Sequence, residues 1–379
     1  MTRVMKSIYF DCASTVAMRP EAISAYCDTA GQFFANPSSS HLLGSRAKAV
    51  LEGARESVAT ILGADPSQII FNSGATESAN TFVASAPIDT AVIVSPIEHH
   101  CVLDPAMRSN SLLMNVNRDG KVDLAHLKEI FKERRNGIGM VFLMAVNNET
   151  GVIQPIDYVA TLMKKYSPSA KLIVDAVQAA NWLELKGLLH LVDGAFLAAH
   201  KFGGPKGFGI LLKRGDGWVA PLIVGGGQEF DLRSGTQDPA AALAAKRALE
   251  MAQSEIKEHN EKATVMRKAI VSQLDEVKDD VIFCADGPET VPGILSMIVP
   301  GANSEELLFL LDEAGLCASA GSACASGALE PSHVLVSMGY TKAQARSSLR
   351  LSFTGDEGEE TAIAAGRIVV DVIKRLVRA

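Results

Sequence analysis

A chain of 379 residues that is 47% apolar and 21% charged can bury a large core and is longer than one small domain needs. Its formal net charge of −7, without runs of Lys or Arg, argues against a nucleic-acid scaffold. No apolar run approaches the roughly 18 residues of a membrane span, and the short apolar stretch within Met1 to Met18 is broken by Asp11, so a cytoplasmic protein without membrane attachment is expected.

In chain order, Ser7 to Asp11 predicts a short strand entering a turn, and Asn36 to His41 a polar loop. Ala47, Val50, Leu51, Ala54, Val58 and Ile61 recur at three- and four-residue spacing, the core face of a helix that Gly63 should close. Gln68 to Phe71 reads as a strand, and Asn72 to Asn80 as a glycine turn opening a helix. The outward N–H groups of such a helix start favour an anion, so either a phosphate sits there or nothing does.

Short apolar runs then alternate with helical segments: Ala91 to Pro96, Met140 to Val146, Lys171 to Val177, Gly194 to Ala199 and Gly207 to Lys213. Near-continuous apolar strands separated by helical spacers predict an α/β fold with a mostly parallel sheet covered on both faces. Polar residues cluster where these runs end: Glu98-His99-His100, Asn147 to Gly151, Asp175 to Gln178, and His200-Lys201 before a glycine-rich turn. Strand ends are where α/β sheets place their sites.

After Asp238-Pro239 the sequence reads as helix to about residue 277, first alanine-rich and then charged, leading towards a second, smaller domain. Val281 to Cys284 and Ile294 to Val299 predict strands, and Asn303 with Glu306 predicts a capping box for a helix over Glu305 to Ala314 that Gly315 ends. A run of small residues follows, Cys317 to Gly327, then two short helices within Pro331 to Met338 and Thr341 to Ser348. A strand at Leu349 to Phe353 and a helix over about Glu357 to Leu376 complete the chain. The six cysteines show no C-x-x-C pair, so neither a metal site nor a disulfide framework is expected, and most should be buried fillers.

A lysine directly after an apolar run needs a partner, because an ammonium beside a core is otherwise disfavoured. Lys201 to form an imine, Asp175 to keep a ring nitrogen protonated, His99 to stack on a ring, Gln178 to reach its phenolic oxygen and the Gly74-Ala75-Thr76 helix start to hold a phosphate together match what pyridoxal phosphate requires. Singly, each is as well explained by a strand-end cap, a core histidine or a solvated loop residue; their joint occurrence at successive strand ends favours a site.

These motifs, in this order, resemble the cysteine desulfurases of the pyridoxal-phosphate fold-type I, class V aminotransferase family. The resemblance runs nearly end to end: Asn36-Pro37-Ser38-Ser39, Ser73 to Ser78, Glu98-His99, Asn147-Asn148-Glu149, Asp175 to Gln178, His200-Lys201 with Gly204 to Gly207, Gly225 to Glu229, Arg233 to Thr236, Gly321 to Cys324, Glu330 to Leu335, and Leu349 to Ser352. It implies a large domain over 14–255 with a mostly parallel, seven-stranded type of sheet, and a smaller α+β domain from 1–13 and 256–379. Lys201 would carry the cofactor, with Ala75, Thr76, His99, Asn148, Asp175, Gln178 and His200 around it and Thr236 reaching the phosphate of a second subunit in a homodimer. Asn148 and Arg350 would orient L-cysteine, and Cys324 would be the nucleophile that takes its sulfur and passes it to an acceptor or scaffold protein, with Cys317 expected to be structural. Iron–sulfur assembly, tRNA thiolation and DNA sulfur modification are all compatible acceptor pathways. A selenocysteine lyase or other class V enzyme, and a non-catalytic scaffold of the same fold, are the alternatives.

The sequence departs from the family pattern at three places. Ala198 replaces a serine that commonly donates to the phosphate, Cys12-Ala13-Ser14-Thr15 replaces an Asn-Ala-Thr-Thr type of sequence, and Phe230-Asp231 stand where charged residues or glycine are more usual.

Overall fold

The computed structural model describes residues 7–134, 137–285, 289–321 and 330–377; Cys324 lies outside the described residues. Among the described residues the strands are, in chain order, β1 (Ile8–Tyr9), β2 (Ile69–Asn72), β3 (Ala91–Val94), β4 (Ser111–Leu113), β5 (Ile138–Met144), β6 (Lys171–Asp175), β7 (Gly194–Ala198), β8 (Gly209–Lys213), β9 (Ile282–Phe283), β10 (Ile294–Ile298), β11 (Leu316–Cys317) and β12 (Ser348–Ser352).

Seven of these form one sheet in the order β2-β8-β7-β6-β5-β3-β4. The neighbours from β7 to β4 are parallel, and β8 is antiparallel to both β2 and β7. Residues 199–208 are too few to carry a crossover, which takes roughly a dozen residues, so β8 must return antiparallel. That tight return holds Lys201 at the rim of the sheet.

Successive side chains point to opposite faces, and both faces are dry. Val141, Leu143, Leu172, Val174, Ala195 and Leu197 join one core with Leu51 and Val58 of the helix Leu42–Leu62, which ends at Gly63 with φ 61° as its sequence predicts. Met140, Phe142, Ile173 and Phe196 join a second core with Phe82 of the helix Ala75–Ala84 and Val102 of the helix His100–Met107. Double coverage explains the continuous apolar runs.

The helix expected to run to residue 277 is two helices, Pro239–Ser254 and Ile256–Leu274, interrupted at Glu255, which pairs with Arg19 at 2.7 Å. The buried alanines of the first, including Ala241, Ala244, Ala245 and Ala248, let it pack closely on Pro20–Gln32 and Leu42–Leu62. The second packs on Glu359–Val377 beside the antiparallel sheet β12-β10-β9, while β1 and β11 pair in parallel.

Two local expectations are corrected. Asn303 caps the helix Ser304–Glu313 by accepting from the Glu305 N–H at 2.8 Å, without the reciprocal bond from Glu306 that a capping box needs. The cysteines are not mostly buried fillers: Cys101 and Cys284 are buried, Cys12 and Cys317 are partly exposed, and Cys27 is exposed. Cys27 lies on the Pro20–Gln32 helix, whose buried positions are Ala22 and Thr29, so its side chain faces away from the core.

Candidate active site

The strand ends converge on a cavity of about 530 Å³. Its lining includes Ala75 and Thr76 from the helix after β2, His99 from beyond β3, Asn148 from beyond β5, Asp175 and Gln178 from the end of β6, and Ala198, His200 and Lys201 from the end of β7. Parallel strands present their C-terminal ends on one edge, so residues separated by more than 100 positions meet there.

Lys201 reaches across to the chain's first segment. Its Nζ donates to the carbonyl oxygens of Ala13 and Ser14, both at 2.7 Å, and Gln178 Nε2 donates to the same Ala13 oxygen at 2.7 Å. Gln178, expected to reach a ring oxygen, is thus anchored on the backbone. Ser14 and Thr15 also line the cavity, and Thr15 Oγ1 lies 3.1 Å from His200 Nδ1. Backbone carbonyls carry no sequence signature, which is why this segment's part was not read from its residues.

Asp175 is buried and accepts from the Val177 N–H at 2.9 Å. Burial pushes its carboxyl up to about 6, only partly offset by that N–H and by Lys201. Glu98, missed as a site residue although it precedes His99, is fully buried, and burial with the nearby Asp175 charge raises it well above the carboxylate range. Its Oε1 accepts from the Met144 N–H at 2.6 Å, and Oε2 has no partner among the described residues.

His99 caps the helix His100–Met107, with Nδ1 accepting from the Cys101 N–H at 3.1 Å. That bond leaves the hydrogen of the neutral ring on Nε2. Burial, then Lys201, lowers His99 to about 4, and the same two causes, in the same order, lower His200 to about 4. The helix Ala75–Ala84 opens at Gly74 with no side-chain cap, so its first N–H groups face the cavity rim.

Arg350 sits on β12, buried on the face opposite Leu349 and Leu351. Nη1 donates to the Asn148 carbonyl at 3.0 Å, and Nη2 to Asp11 Oδ1 at 2.8 Å and Ser14 Oγ at 2.9 Å. The guanidinium therefore borders the cavity through Asn148 and Ser14 rather than lining it. Thr236 is exposed and lines an adjoining cavity with Tyr26, Ser73, Lys206 and Arg233, so this chain does not bring it into the group around Lys201. Cys324 lies outside the described residues, between Gly321 and Glu330.

Residues 8–361 match the profile of the family described as aminotransferase class-V. The chain is 35% identical over 386 residues to the IscS-like cysteine desulfurase of Mycobacterium tuberculosis, covering 98% of this chain and 97% of that protein. It is 33% identical over 383 residues to the putative cysteine desulfurase IscS 1 of Bacillus subtilis, covering 98% and 100%. A solved structure described as a NifS-like protein superposes with a TM-score of 0.88 at 31% identity, covering 98% of this chain and all of that one.

Proposed function

The chain belongs to the aminotransferase class-V family, and from that membership we propose that it is a cysteine desulfurase that uses pyridoxal phosphate, converts L-cysteine to L-alanine and takes the sulfur on Cys324 for delivery to an acceptor protein. The observation that carries this reading is the convergence of Lys201, Asp175 and His99, from three strand ends, on one cavity.

The residues present fit the cofactor. Asp175 holds a carboxylate that burial disfavours, and a ring N–H cation opposite it would relieve that cost. The uncapped N–H groups at Ala75 and Thr76, with His200 beside them, suit a phosphate. Lys201 supplies the primary amine that attaches the ring, and His99 the flat side chain beside it. Ala198 offers a methyl where a serine would add a donor, so one phosphate hydrogen bond is missing.

When bound, pyridoxal phosphate supplies an electron sink that makes the α-hydrogen of an amino acid removable. Asp175 would hold a proton at the ring nitrogen, and Asn148, with the second amide N–H of Gln178 beyond the one spent on Ala13, would meet the ring's polar edge. Lys201 Nζ moves the substrate's α-proton, and the Nε2–H of neutral His99 is the nearby donor. Arg350 and Asn148 orient the substrate carboxylate. The Cys324 thiolate attacks the substrate sulfur: the Cβ–S bond breaks, an S–S bond forms, and Cβ takes a proton as L-alanine leaves. L-Cysteine plus one enzyme thiol gives L-alanine plus one persulfide, without an outside oxidant or reductant.

Cys324→Ala tests the reading: it should retain the change in cofactor absorbance on adding L-cysteine and lose alanine and sulfide production. Undiminished sulfide release would overturn it. The same reading includes a homodimer in which Thr236 meets the partner's phosphate, supported by the exposed Leu222, Ile223, Val224 and Phe230 of the preceding loop. It also includes a division into 14–255 and a smaller unit from 1–13 and 256–379, a protein acceptor and a cytoplasmic setting. No helix among the described residues is long and apolar enough to cross a membrane.

A further inference from the structure

Two stretches of chain flank residues 322–329, and both meet one buried carboxylate. Glu149, immediately after Asn148, is buried, and its Oε2 accepts the Ser332 hydroxyl proton. Ser332 Oγ also accepts from the Leu335 N–H at 3.1 Å, capping the short helix His333–Ser337, so this one hydroxyl ties the helix start to Glu149. On the other flank, Gly321 lies so close that a Cβ there would overlap Glu149 Oε2 and come within 3.2 Å of Ser332 Cβ. Only a glycine backbone fits between them.

Glu149 is itself held rigidly. Asn147 Oδ1 accepts from the N–H groups of Glu149 and Thr150, both at 2.9 Å, and Asn147 Nδ2 donates to the Ile97 carbonyl at 3.1 Å. Beside Ser332, His333 Nε2 donates to the Glu98 carbonyl at 2.9 Å, next to His99. The two flanks of the segment are thereby fastened to the strand ends that carry Asn148 and His99.

We propose that Glu149 is a positioning residue for sulfur transfer: its carboxylate, bonded to Ser332 and packed against Gly321, clamps together the two chain ends between which Cys324 lies. The role rests on the reading of Cys324 as nucleophile. Glu149 does not line the cavity around Lys201 and acts through the two flanks.

The test uses the holoenzyme with Glu149→Ala, Glu149→Gln, Ser332→Ala and the Glu149→Gln/Ser332→Ala double variant. Glu149→Ala should lower kcat for alanine release on the order of tenfold to a hundredfold, the scale of a misplaced reacting group, while KM moves by less than about threefold. The cofactor absorbance change on adding L-cysteine should persist, and elastase should cut within residues 322–329 faster. Glu149→Gln, which keeps an acceptor of the same size, should recover most of kcat. An alanine variant with kcat within about twofold of the parent and an unchanged cutting rate would overturn the clamp. If Glu149→Ala does not fold, Ser332→Ala decides: a kcat loss with faster cutting, no greater in the double variant, supports the clamp, and a kcat within about twofold of the parent with an unchanged cutting rate overturns it. Full sulfide release from Cys324→Ala would instead remove the nucleophile reading, with the cutting rates still deciding the clamp.

Discussion

Two buried arginines in this fold meet carboxylates in opposite ways. Arg55, on the helix Leu42–Leu62, uses all five N–H groups: Nε and Nη2 on Glu52, Nη1 on the Ile69 carbonyl, and both Nη atoms on Glu229. Phe71 and Phe230 cover its faces, with ring centroids 4.7 Å and 5.1 Å from Cζ, and Glu229 also accepts from the Phe71 N–H at 2.8 Å. Arg350 places three N–H groups, on Asn148, Asp11 and Ser14, and its buried Nε has no partner among the described residues. A buried donor left unpaired carries a free-energy cost that a ligand can relieve. The satisfied arginine is part of the scaffold, and the under-satisfied one is the residue proposed above to meet the substrate.

The first pair also accounts for a departure from the family pattern. Glu229, Phe230 and Asp231 all have positive φ, 50°, 58° and 64°. Left-handed backbone is disfavoured for residues with a Cβ, which is why glycine is at home at such positions. Here the buried Glu229 ion pair and the Phe230 ring over Arg55 hold the turn.

The largest expected effect breaks the comparison at its structural end. Glu229→Ala leaves Arg55 buried without its main counter-charge and should destabilise the protein by about 3–5 kcal/mol, read by urea unfolding, while KM for L-cysteine in the folded fraction stays unchanged. Arg350→Ala should do the reverse: kcat/KM for L-cysteine falls on the order of a hundredfold to a thousandfold, as loss of a charged carboxylate partner entails, with a smaller change in the unfolding midpoint. Equal losses of stability in the two variants would erase the distinction.

Acid sharpens it further. In cofactor-free protein His99 and His200 are held near 4 against an ordinary 6.5, so the unfolded chain binds protons in that window that the fold does not. Their contribution is intact above pH 6.5 and is lost as pH falls towards 4. Asp175, raised from 3.8 to about 6, opposes this: the fold keeps a proton that the unfolded chain has released, so its contribution falls as pH rises through that window. Asp175→Asn should therefore steepen the acid loss by about 1–2 kcal/mol between pH 6 and 4, seen in urea midpoints across pH; an unchanged slope would count against a proton held at Asp175. The smallest effect concerns Ala198: Ala198→Ser should tighten cofactor binding by roughly threefold to tenfold, one net hydrogen bond, measured by dialysis and reconstitution.

Much of the fold was readable because double burial writes itself into composition. β3, β5, β6 and β7 are apolar on both faces, and their polar successors mark the rim where the cavity lies. The strands β4 and β11 were not read: two or three residues show no period, and the equally short β1 and β9 were read from the apolar residues beside them rather than from a period. At the site, Lys201, Asp175, Gln178 and His99 were legible as strand-end polar residues. Asp11, the carbonyls of Ala13 and Ser14, and Glu98 were not, because their roles depend on partners elsewhere in the chain, such as Arg350 to Asp11 at 2.8 Å.

By itself the sequence determined the layered α/β architecture, the family and the chemistry-bearing residue types, because periodicity, strand-end polarity and ordered motifs are local in the chain. Only the tertiary structure decided which of two buried arginines is fully hydrogen-bonded, that Gln178 donates to the Ala13 carbonyl, and that Gly321 and Ser332 meet on Glu149. Those outcomes turn on hydrogen-bond satisfaction and close approach between distant segments. Both are properties of assembled surfaces, and neither leaves a period or a motif in the sequence.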